Sequence, residues 1–109
     1  MILKKPNFQE AMQMMRQRAV HRQEEGFHIL KPHAAAFVEE LMSEYRSETD
    51  HGLKCWLLEL VALARSPKAF DFLVEQLNVR DLTFRELAID GLRKLNTKES
   101  KAVLTKRGF

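Results

Sequence analysis

The chain has 109 residues, 45% hydrophobic and 30% charged, with 18 Lys and Arg against 15 Asp and Glu. That length suits one domain with a real core, and the composition excludes a disordered chain. The formal net charge of +3 is uneven: residues 1–32 carry net +3, residues 33–77 net −4 and residues 78–109 net +4. An acidic middle between two basic ends is not the continuous positive patch of a dedicated nucleic-acid binder.

The opening, MILKKPNF, has too short an apolar stretch for a signal peptide. No segment reaches the roughly 20 apolar residues of a membrane-spanning helix, so no membrane partner is expected. Asn7 can cap a first helix from Phe8 to about Glu24, with Glu10 completing a capping-box pair. Phe8, Ala11, Met12, Met15 and Ala19 make its apolar stripe, and Gly26 suits a C-terminal stop. Lys31-Pro32 then opens a second helix to about Ser47, with Ala34, Phe37, Val38, Leu41, Met42 and Tyr45 at helical spacing.

The segment Leu53–Ala64, LKCWLLELVALA, is apolar nearly all round and must be covered on more than one side. It is expected to be the central core helix, with Trp56 buried in it. Ser66-Pro67 restarts a fourth helix to about Asn78, with Phe70, Leu73 and Leu77 inward. Thr83, with Glu86 three residues on, is expected to cap a fifth helix to Leu95, and Thr97 a short sixth holding Ala102 and Leu104. No segment alternates as a strand does, so the chain is predicted to be all-α.

A shift of 31 residues aligns the chain with itself without gaps. Leu53 falls on Phe84, Trp56 on Leu87, Leu57 on Ala88, Val61 on Leu92, Ser66 on Thr97 and Asp50 on Asp81. One step earlier Val38 falls on Ala69, Leu41 on Phe72 and Met42 on Leu73. A fixed period of two helices and short turns is the mark of a helical-repeat array. The stretch LVEQLNVRDLTFRELAIDGLRKL resembles a HEAT repeat, with Asp81, Arg85, Ala88 and Leu92 matching the family's turn and following helix. Asp50, Lys54 and Leu57 form a weaker copy. The resemblance implies one domain over residues 1–109: a short right-handed α-solenoid of about three hairpins, about six helices, with residues 1–30 as a divergent N-terminal capping helix. Gly91, which costs about 1 kcal/mol against Ala inside a helix, is expected to permit close helix approach.

Chemistry is sparse. His51 and Cys55 are four apart, a spacing able to hold a metal, but no second pair accompanies them. There is no phosphate loop, nucleophile elbow or HExxH. Catalytic residues, metal and cofactor are therefore all expected to be absent. Cys55, the single cysteine, fits a buried thiol in a reducing cytoplasm.

The repeat places Glu40 on Asp71 and Glu44 on Glu75. Taken as lying on the second helix of each hairpin, at neighbouring units roughly 10 Å apart, these four carboxylates are expected to form one acidic, partner-binding ridge. Small size, repeat architecture and missing catalytic motifs resemble the bacterial immunity proteins of contact-dependent growth inhibition and other polymorphic toxin systems. That resemblance implies stoichiometric neutralisation of a toxin domain, with a basic nuclease as the partner an acidic ridge would suit. The alternative is a nucleic-acid-binding or adaptor role for the basic ends, with Arg16, Arg18 and Arg22 at one and Lys98, Lys101, Lys106 and Arg107 as the phosphate contacts at the other.

Overall fold

A computed structural model of the chain describes residues 5–109. Residues 1–4, part of the opening stretch considered for a signal peptide, lie outside the described residues. The described residues form seven α-helices: α1 (Phe8–Met15), α2 (Val20–Leu30), α3 (Val38–Ser47), α4 (His51–Ala64), α5 (Phe70–Gln76), α6 (Leu82–Leu95) and α7 (Lys98–Lys106). Short 3-10 turns at Lys31–His33 and Pro67–Ala69 precede α3 and α5, each with a proline at its start. Among these residues there is no strand, and no helix is long and apolar enough to cross a membrane.

The first expected helix is in fact two. Asn7 does cap α1, accepting the Glu10 N–H at 3.1 Å. The helix stops at Met15 and the chain doubles back, so that α2 packs along α1. Gly26 is therefore not a stop but the contact point of this hairpin. A β-carbon there would sit 2.6 Å from Met15 Cγ and 2.7 Å from the Ala11 carbonyl oxygen. The turn has no local signal in Arg16–Ala19. Its cause is tertiary: folded back, the stripe Phe8, Ala11, Met12, Met15 and the stripe Gly26, Phe27, Leu30 bury each other. Ala19, expected inside, is exposed.

The 31-residue period recurs in the backbone. α4 and α6 are both 14 residues long and begin 31 positions apart. Asp50 caps α4, accepting the Leu53 N–H at 2.8 Å, and Asp81 caps α6, accepting the Phe84 N–H at 3.1 Å. Asp81 thus takes the role expected of Thr83, which lies exposed within the helix. Arg65 and Asn96 end the two helices in the left-handed region, at φ 50° and 52°. α2 belongs to the same series, since its extended cap residue Ala19 stands 31 before Asp50. The last helix begins with a reciprocal pair: Thr97 Oγ1 accepts the Ser100 N–H, and Ser100 Oγ accepts the Thr97 N–H.

α4 is the central element, packed against α3 and α6 and touching α2. Leu57, Leu58 and Leu60 have no exposure at all, and fully burying such side chains stabilises by about 1.5–3 kcal/mol each. Trp56 departs from expectation. It is only half-buried, leaning on the Phe27 ring at 4.7 Å, because its position faces outward between α2 and α4. Gly91 lets α6 close on α4, where a β-carbon would lie 3.1 Å from Ala62 Cβ.

Two substitutions test this packing. Gly26→Ala gains about 1 kcal/mol of helix propensity but drives a methyl into a backbone carbonyl, an overpacking of about 1–3 kcal/mol. A net loss of stability in urea melts is expected, larger than that of Gly91→Ala; a Gly26→Ala protein as stable as wild type would show that α1 and α2 do not meet there. Arg65→Gly should instead stabilise by up to about 1 kcal/mol, by removing the β-carbon penalty of a left-handed residue.

Candidate functional site

Three polar regions of the described residues bear on the sites expected from the sequence. The first is the seam between the starts of α4 and α6. Because Asp50 and Asp81 cap equivalent helices, His51, the first residue of α4, reaches the next cap: its Nε2 lies 2.8 Å from Asp81 Oδ2. The imidazole stacks on Phe84 at 4.9 Å and 21°. Its other nitrogen, Nδ1, is 3.7 Å from Cys55 Sγ. Below it Lys54 Nζ stands 4.3 Å from the Tyr45 ring centre, and the Tyr45 hydroxyl donates to Gln76 Oε1 at 2.9 Å in the core.

Order in this seam is electrostatic. The Phe84 N–H holds the Asp81 carboxyl below its ordinary range, and His51 adds to this. Burial, then the carboxylates Asp81, Asp50 and Glu59, push the Cys55 thiol up. A thiol kept protonated is a poor nucleophile, and both nitrogens of His51 already face partners. Among the described residues no group of three or more His, Cys, Asp or Glu could hold a metal. His51 and Cys55 thus meet at the contact between α4 and the start of α6.

The second place is the outer row formed by α3 and α5. These are the leading helices of their pairs, α3 packing on α4 and α5 on α6, so Glu40, Glu44, Asp71 and Glu75 lie on first helices rather than second ones. The structure does not bring the four together as one free patch. Glu44 is bound by Arg16 at 2.7 Å and Glu75 by Arg46 at 3.1 Å. Glu40 and Asp71 are exposed. Asp71 and Glu75 line an open groove of about 360 Å³ whose walls also carry Arg46, Lys68 and Glu39. Lys68 approaches Glu39 at 3.7 Å, and the Arg46 guanidinium lies over Phe72 at 5.0 Å. Cations from neighbouring elements make this surface zwitterionic, which a comparison of carboxylate positions alone does not show.

The third place is α7. Lys98, Lys101, Lys106 and Arg107 are all exposed. Lys98 and Lys101 stand at its start, whereas Arg107 follows its end and donates to Asn78 Oδ1 at 2.7 Å. The four cations are thus divided between the two ends of one helix.

With this geometry the chain is an all-helical protein in which helix length, Asp cap and left-handed terminator recur 31 residues apart. No family model matches it, and no solved structure does. It is similar to the Bilin biosynthesis protein PecF of Mastigocladus laminosus, at 30% identity over 86 residues, 74% of this chain. The chain spans 41% of the length of that curated relative.

The seam has a direct spectroscopic test. Burial, with the nearby Cys55 and Asp81, pushes the Tyr45 phenol up to about 12. The unfolded phenol ionises near 10, so its contribution to stability is complete below about pH 10 and is lost as pH rises toward about 12. Tyr45 is the only tyrosine in the chain. Tyrosinate absorbance should stay absent through pH 10.5 in the folded protein and appear near pH 10 in urea; coincident titrations would mean that Tyr45 is exposed.

Proposed function

We propose that this chain is a non-enzymatic, stoichiometric protein-binding module, built as a short right-handed α-solenoid of HEAT-like hairpins. The observation that supports this reading most is the return of helix length, Asp cap and left-handed terminator 31 residues on, from α4 to α6. Units that repeat in this way offer an extended surface rather than a single catalytic cleft. The partner we propose is a basic toxin nuclease domain in the cytoplasm, which the protein neutralises as an immunity protein. The net negative charge of residues 33–77 favours a basic partner.

The similarity to a bilin biosynthesis protein favours a second reading, in which the same scaffold handles a bilin pigment. The basic residues of α7 and its end define a third, binding to RNA or DNA. One set of mixing experiments separates them. The expected result is a 1:1 complex with a basic toxin nuclease domain, seen by light scattering, with loss of cleavage. A shifted visible spectrum on adding biliverdin, without such a complex, establishes the second reading. Oligonucleotide binding that falls steeply with salt and disappears on replacing Lys98, Lys101, Lys106 and Arg107 establishes the third.

A further inference from the structure

The 31-residue register also orders the outward face of α2, α4 and α6. On α4, Trp56, Glu59 and Leu63 stand at i, i+3 and i+7, one stripe opposite the buried Leu57, Leu58 and Val61. The register places Glu24 of α2 and Glu86 of α6 level with Cys55, and Leu87 level with Trp56. Glu24, Glu59 and Glu86 are exposed, while Trp56, Leu63 and Leu87 are half-exposed. Two more carboxylates on this face are already tied within their own helices, Glu25 to Arg22 and Asp90 to Lys94. Among the described residues none of Glu24, Glu59 and Glu86 has an ion-pair partner.

We propose that this face is the docking surface of the module, and that its occupant is a basic amphipathic helix of the protein partner. The inference rests on the protein-binding reading and names its surface. α4 packs directly on α6 and touches α2, so the three outward stripes lie side by side. The half-exposed strip of Trp56, Leu63 and Leu87 supplies the apolar part of such a contact, and indole groups are the residues on which binding energy concentrates. The three carboxylates around it supply the charge, complementary to lysines on the rim of an incoming helix. Three helices at 8–10 Å spacing match a partner helix of about 14 residues, roughly 21 Å long. The outer row offers a poorer match, because Glu44 and Glu75 are already held by Arg16 and Arg46.

Trp56 is the only tryptophan of the chain, so its fluorescence reports the event directly. The probe is a synthetic Lys/Leu peptide of about 14 residues patterned as an amphipathic helix, with a scrambled peptide of the same composition and a Glu/Leu counterpart. The patterned basic peptide should blue-shift and saturate the Trp56 emission; the scrambled one should bind more weakly and the acidic one not at all. Glu24→Gln, Glu59→Gln and Glu86→Gln together should leave the melting curve in place and weaken binding at least about tenfold. Replacing Glu40, Glu44 and Asp71, Glu75 by their amides should leave it unchanged. The proposal is overturned if the wild type does not bind the patterned peptide, if the inner triple variant binds it as tightly as wild type, or if the outer quadruple variant is the one that fails. A 1:1 complex of the wild type with a basic nuclease domain alongside any of these results removes the docking surface only, whereas absence of that complex in the wild type removes the module reading itself.

Discussion

Everything in this molecule depends on covering α4. A helix with Leu53, Leu57, Leu58, Leu60, Val61 and Ala62 all buried has apolar surface on more than half its circumference, and no single neighbour can cover it. α3 takes one side, and α6 closes on the other through the Gly91–Ala62 contact. Small side chains at that crossing bring the two helices near enough for Leu73 to pack beside them, 3.1 Å from where a Gly91 β-carbon would stand. The positions of α3 and α6 then follow from how they reach this one helix, and α5 packs in turn on α6.

Helices packed in this way must satisfy their polar ends. Asp50 and Asp81 cap the starts of α4 and α6, and His51 links the two units by bonding to the second cap. The same joint brings a cysteine, a histidine and an aspartate within hydrogen-bonding distance of one another. Burial, and then the Asp81 carboxylate that orients His51, oppose ionisation of Cys55, and Phe84 stacks on the imidazole. Tyr45 and Gln76, equivalent positions on α3 and α5, meet in one buried hydrogen bond, so the repeat is joined through the core as well as along its edge.

Charge divides the two rows of helices. Along α3 and α5, arginines borrowed from neighbouring elements compensate the acids: Arg16 from the segment after α1, and Arg46 from the end of α3. Along α2, α4 and α6 the Arg22–Glu25 and Lys94–Asp90 pairs lie within one helix, and the His51–Asp81 contact is the one that crosses from α4 to the cap of α6. Pairs of the first kind tie elements together across the fold, while exposed pairs of the second kind contribute only about 0.3–0.5 kcal/mol. Like formal charges on the two rows therefore have different availability to a partner.

Much of this was legible in the sequence. The all-helical class, the central LKCWLLELVALA helix, the Ser66 and Thr97 caps and the 31-residue period all follow from periodicity and capping chemistry, which act over a few residues. What the sequence could not carry were choices made between distant residues. Nothing in Arg16–Ala19 marks a turn; α1 and α2 separate because Gly26 must meet Ala11 and Met15. Trp56 reads as core in a run of leucines, yet its stripe faces outward once α3 and α6 have taken the other sides. Glu44 and Glu75 read as free carboxylates because Arg16 lies 28 residues from the one it binds, and Arg46 lies on a different helix from the other. Local propensity sets where helices begin and end, whereas burial and charge pairing, which act through space, decide which of their faces remain open.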